Sequence, residues 1–174
     1  MGRARPMPLA LMLLGVAVLL VFAVTGCDGT EPLGTVADAV EPAPWDLSTP
    51  ELAVRSYLDW VSFSYRMANS EIPTATMTPE ESVRVDSYIQ LNRMDGKGLE
   101  QFLTSLEITS VSEEASTAVV TARETWGYRY FSLETLEYLT EEYTASYDTT
   151  YTLEAHPQGW LVDAVEATSD EEVK

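Results

Sequence analysis

The sequence predicts an α+β domain in which helices come first and an antiparallel sheet follows. Two capped helix starts and one change of hydrophobic period carry that prediction. Ser48-Thr49-Pro50-Glu51 and Thr78-Pro79-Glu80-Glu81 each supply a hydroxyl cap, a proline suited to the first helical position and acid at the positive end of the helix dipole. From Ser105 onward the apolar residues instead recur at every second position, the period of a strand.

After the first cap, Val54, Leu58, Val61, Tyr65 and Ala68 recur at spacings of four and three, with Ala53, Tyr57, Trp60, Ser64 and Met67 beside them. Arg55, Asp59, Ser62 and Arg66 fall opposite, so the spacing predicts a helix over about residues 50–68 with one wide apolar face. The second start reads as a capping box, Glu81 reaching back to the Thr78 amide. Its helix turns Val85, Tyr88, Ile89 and Asn92 inward and stops near Asp95-Gly96. Leu99, Phe102, Leu103 and Leu106 keep helical spacing, which predicts a short third helix.

Four strands follow. The stretch "SLEITSV" from Ser105 is the first. In residues 117–130, Ala118, Val120, Ala122, Trp126, Tyr128 and Tyr130 share one face, and Thr121, Arg123, Thr125 and Arg129 the other. That is a sheet wet on one side. Tyr143, Tyr147, Tyr151 and Leu153 mark the inner face of the third strand. After a turn at His156-Pro157-Gln158-Gly159, "WLVDAVEA" closes the sheet. Residues 131–141 carry no clear period and read as an extended hairpin tip, while 169–174 read as a frayed acidic tail.

Ahead of the domain, Arg3 and Arg5 precede an uncharged run in which residues 9–24 are all Leu, Ala, Met, Val, Phe or Gly. This is the layout of a secretory signal peptide. Val24-Thr25-Gly26-Cys27 resembles the lipobox of bacterial lipoproteins. The resemblance implies cleavage after residue 26, a lipid on the Cys27 sulfur and anchorage on the extracytoplasmic face of the bacterial cell membrane. An uncleaved membrane helix over residues 6–27, or an incidental Cys27 behind an ordinary cleavage site, are the alternatives. With one cysteine in the chain, a disulfide framework is excluded. Asp28 would hold an enterobacterial lipoprotein at the inner membrane, and has no such meaning in a bacterium with one membrane.

Removing residues 1–26 leaves 148 of the 174, and takes two of the ten basic residues, so the net charge falls from −18 to −20. Such a field excludes nucleic acid and a flat seat on anionic lipid, and it permits a basic partner. Residues 27–47 read as the lipidated cysteine and a disordered acidic tether carrying Pro32, Pro42 and Pro44, with Trp45 as the one residue suited to pack on the domain. The folded domain is then expected over residues 48–168.

Three N-terminal helices on a curved four-stranded antiparallel sheet, closed by "PQGWLVDAVEA", resemble the nuclear transport factor 2-like cone. The likeness is greatest to its binding-type members, among them the domain of plastid-division proteins in the chloroplast intermembrane space. The resemblance implies no catalytic residue, because the same fold hosts isomerases, dehydratases and inert scaffolds.

The residues themselves offer little chemistry. His156, the sole histidine, sits in a turn, no His/Cys cluster suits zinc, and no acidic run has the alternation of a calcium loop. No cofactor and no metal are expected. Glu124 breaks the pattern by falling on the apolar face between Ala122 and Trp126. Either it is the polar group of a pocket walled by Tyr57, Trp60, Trp126, Tyr128 and Tyr147, or it is structural, turned out by a bulge or paired with an arginine. The structural reading is favoured, since ion pairs perturb carboxylates as readily as active sites do. Two functions follow. One is a non-enzymatic, membrane-anchored module that binds an extracytoplasmic protein partner or acts as a scaffold, and the missing catalytic set favours it. The other is a small-molecule-binding cone, or an isomerase or dehydratase of the polyketide-cyclase type using Glu124. A filled cone favours the first, and a cavity of several hundred cubic ångströms around Glu124 the second.

Overall fold

A computed structural model describes residues 33–169. The signal peptide, Cys27, Asp28 and residues 170–174 of the tail lie outside the described residues. Two α-helices, α1 (Pro50–Met67) and α2 (Pro79–Met94), flank a short 3-10 turn (Thr74–Thr76) and precede four strands. The strands are β1 (Lys97–Glu113), β2 (Thr117–Ser132), β3 (Tyr143–His156) and β4 (Gly159–Ser169). They pair antiparallel in the order β1-β2-β3-β4, a meander in which every neighbour in space is a neighbour in sequence.

Helix α1 starts where its cap predicts, the Leu52 amide donating to Thr49 Oγ1 at 3.3 Å. It ends on Ala68 in the left-handed region, φ 47°, where the Asn69 amide reaches the Ser64 carbonyl at 3.0 Å. Its apolar face buries Ala53, Val54, Tyr57, Leu58 and Val61 against the sheet residues Val120, Trp126, Tyr151, Leu153 and Val162. Val54, Val120 and Leu153 have no exposed surface, and burying each contributes about 1.5–3 kcal/mol. The far face of the sheet is polar. Thr109, Ser110 and Thr121 share hydroxyl hydrogen bonds there, and Arg123 meets Asp148 at the surface.

The cap of α2 departs from the expected box. Thr78 Oγ1 does accept from the Glu81 amide, at 3.4 Å, and donates to Asp163 Oδ1 at 2.8 Å. The Thr78 amide, however, donates to the Val162 carbonyl of β4, so Glu81 has no cap to complete and turns its carboxylate into the core.

The expected third helix is absent from the described residues: 97–113 are one long strand. A bulge between Leu103 and Ser105 is the physical reason for the misreading. It shifts the alternation by one residue, so Leu99, Leu103 and Leu106 reach the core at spacings that mimic a helix. Phe102 lies on the opposite face, over Gly127, where a Cβ would stand 2.2 Å from its ring.

Residues 33–47 also differ from the expected tether. The chain from Leu33 runs along the domain with its backbone hydrogen-bonded: Val36 donates to Leu136, Tyr138 to Gly34 and Trp160 to Leu47. Asp46 accepts from and donates to the Ser56 hydroxyl, and Arg66 reaches the Ala37 carbonyl. Leu47 is 5% exposed, and Trp45 stands edge-on to Trp60 at 5.4 Å, as its apolar ring suggests. The backbone of β4 approaches Leu47 so closely at Gly159, φ 126°, that a Cβ there would lie 2.4 Å from the Leu47 carbonyl oxygen. The ordered domain therefore begins before residue 48.

Candidate functional site

Between α1 and the helix-covered face of the sheet lies a cavity of about 260 Å³, lined by Tyr57, Tyr65, Glu124, Trp126, Tyr147, Tyr151 and neighbouring apolar groups. A second cavity of about 260 Å³ shares Tyr65, Gln101, Tyr128 and Tyr147 with it and opens past Tyr88 and Tyr143. The alternation of β2 and β3 builds these walls. Glu124, Trp126 and Tyr128 point inward from one strand, and Tyr147, Thr149 and Tyr151 from the next, with Glu124 directly opposite Tyr147 in register.

Glu124 is 5% exposed and lies in regular register, so no bulge turns it out. No arginine pairs with it either: among the described residues Arg66, Arg84, Arg123 and Arg129 meet Glu100, Glu81, Asp148 and Glu142. Instead Trp126 Nε1 donates to one carboxylate oxygen at 2.8 Å and the Tyr151 hydroxyl donates to the other. Both branches of the structural expectation thus give way to a third arrangement, an acid held by two neutral donors on a cavity wall.

A second buried acid stands nearby. Glu81, 4% exposed, accepts from the Tyr57 hydroxyl at 2.7 Å and from Arg84 at 2.9 Å. The Tyr57 and Tyr151 rings meet edge to face at 6.2 Å. Burial pushes both phenols well above the ordinary tyrosine range, with the carboxylate each one faces adding to the effect. Burial likewise raises Tyr65 and Tyr128, and Tyr143 is pushed up to about 12. These five phenols are therefore neutral hydroxyl donors at any physiological pH.

Five of the six residues expected around a pocket line it: Tyr57, Glu124, Trp126, Tyr128 and Tyr147. Trp60 does not. Its indole nitrogen donates to the Ala43 carbonyl at 3.1 Å, and its ring packs between Trp45 and Phe63, on the side of α1 that residues 33–47 cover. Residues missed were Tyr65, Gln101, Tyr151 and Thr149. Thr149 is the informative one: its hydroxyl is buried, without a hydrogen-bond partner, on the cavity wall. Its position midway between Tyr147 and Tyr151 was the available signal. A larger void of about 430 Å³ is an open cleft between residues 40–43, α1 and β1. It lacks both the buried carboxylate and the unpartnered hydroxyl, so the smaller cavity is the better site. His156 lies on the β3–β4 turn, 3.5 Å from Glu154.

No family model matches the chain, and no curated protein matches it. Among solved structures, the intermembrane-space region of the chloroplast protein ARC6 is similar at 16% identity with a TM-score of 0.61, over 72% of this chain and 98% of that one. A nuclear transport factor 2-like superfamily protein from Salmonella enterica is similar at 10% identity, TM-score 0.48, over 70% and 91%. A ketosteroid isomerase-like protein from Erwinia carotovora is similar at 16% identity, TM-score 0.47, over 75% and 100%. The first likeness shows the α+β fold, helices over a four-stranded antiparallel sheet, and nothing of function.

Proposed function

We propose that the protein is a membrane-anchored extracytoplasmic lipoprotein whose cone binds a small organic molecule without transforming it. One observation carries the binding reading: the cone is open, about 260 Å³ around a buried Glu124, with the Thr149 hydroxyl left unpartnered on its wall. Apolar walls with a few converging polar groups are the usual form of a ligand site. Both oxygens of Glu124 already accept hydrogen bonds from Trp126 and Tyr151, which suits a fixed binding group better than the mobile acid or base of an isomerase or dehydratase. Docking of an extracytoplasmic protein partner is the second reading. It is favoured by Leu136, Leu139 and Tyr143, each about half exposed on or beside the β2–β3 connection.

Anchorage rests on Val24-Thr25-Gly26-Cys27. Native mass spectrometry of the protein taken from its own membrane tests both halves. The expected species starts at Cys27 with added lipid and carries a small, displaceable, non-covalent adduct. Cys27→Ala should remove the lipid and release the chain from the membrane. An intact Met1 would end the anchor reading, and a bare domain that takes up no small molecule would end the ligand reading.

A further inference from the structure

Charge selects among the molecules that could fill this cone. Glu124 is buried, yet the groups that hold it, an indole N–H and a phenol, bring no positive charge. Every ion pair among the described residues engages its cation with another acid. A buried carboxylate without a counter-charge is costly, and none of the ion pairs among the described residues reaches it. Around it, Tyr57, Tyr65, Trp126, Tyr128 and Tyr147 line the cavity, and aromatic rings attract cations through their quadrupoles.

The Thr149 oxygen adds a second, independent pointer. It is 3% exposed, makes no hydrogen bond, and lies on the strand face that carries Tyr147 and Tyr151 inward. A hydroxyl so placed is satisfied by a ligand N–H or O–H. A hard metal ion favours several carboxylates, and this lining supplies one, Glu124. The chain's net charge of −18 draws cations toward the molecule and repels anions.

We propose that the ligand is a small organic ammonium ion, seated against Glu124 within the tyrosine walls and donating an N–H to Thr149. The proposal rests on the ligand-binding reading above and names the class of molecule. A neutral ligand would leave the carboxylate uncompensated, and an anion would meet it head on.

Calorimetric titration of the mature chain with matched probes tests this. The probes are 2-phenylethylammonium against its uncharged counterpart 2-phenylethanol, choline against 3,3-dimethylbutanol, and phenylacetate as the anion. Each cation should bind at least about tenfold more tightly than its neutral counterpart, and phenylacetate should not bind. Glu124→Gln should reduce the preference for charge several-fold, 2-phenylethylammonium losing more affinity than 2-phenylethanol. Thr149→Val should weaken 2-phenylethylammonium several-fold and weaken tetramethylammonium, which has neither N–H nor O–H to donate, less. Equal affinity for charged and neutral partners in the wild type would overturn the cation and leave a ligand-binding cone standing. If no probe binds to wild-type protein that melts cooperatively, both readings fall.

Discussion

Glu81 and Glu124 are equally buried, and each accepts a hydrogen bond from a tyrosine of the same core, yet their surroundings differ in kind. Glu81 sits in the first turn of α2, at the positive end of the helix dipole, with Arg84 one turn along. Its charge is balanced from within the chain. Glu124 sits in mid-strand, where sheets have almost no net dipole, among neutral donors beside an open cavity. A buried acid that the fold itself neutralises is part of the architecture. One held by neutral donors on a cavity wall is, on the ligand-binding reading, set for something from outside.

The largest expected effect tests what the two acids share. The folded chain keeps Tyr57, Tyr65 and Tyr151 protonated above pH 10, where the unfolded chain releases those protons. Stability is therefore full below about pH 10 and falls as pH rises past it, by up to about 1.4 kcal/mol per pH unit for each such tyrosine. Denaturant midpoints between pH 8 and 11 should show the decline. A large share of the tyrosinate absorbance near 295 nm should appear only as the chain unfolds. Half the tyrosines titrating at pH 10 in folded protein would mean the walls are wet.

The next effect separates the acids. Glu81→Leu strands the buried Tyr57 hydroxyl and removes an anion from a helix start, an expected loss of about 2–3 kcal/mol. Glu124→Leu should stay within about 1 kcal/mol of wild type, because it removes an uncompensated charge and water in the cavity can serve Trp126 and Tyr151. Urea melts of both variants decide it, and equal losses would make Glu124 as structural as Glu81. The smallest effect is at Thr149. Replacing its unpartnered hydroxyl by the isosteric methyl of Thr149→Val should raise stability by about 1 kcal/mol, and a loss would show that the hydroxyl is bonded in solution.

Features written in side chains were legible in the sequence, and features written in backbone were not. Helix α1 shows in its one-sided stripe, and α2 in its cap although only Val85 and Ile89 give it an apolar face. The last three strands show in their alternation. β1 was misread because a bulge is a backbone event that rewrites apolar spacing as if it were helical. Residues 33–47 were misread because main-chain bonds to Leu136, Tyr138 and Trp160 hold them, and composition does not record those. At the site, Glu124 was visible as a breach of pattern. Its partners were not, since nothing in a sequence says that a tryptophan two residues on will turn its N–H back to the acid.

The meander also bears on how the chain reaches this form. Residues 114–116 and 157–158 are all that separate β1 from β2 and β3 from β4, so those pairings close over short loops at small entropic cost. The seam between the start of α2 and β4 is the opposite case, joining Thr78 to Asp163 across 85 residues. Local zipping of hairpins is thus expected before the long-range docking of α2 on β4. Amide protection followed through refolding should appear in the β-hairpins before it appears at Thr78.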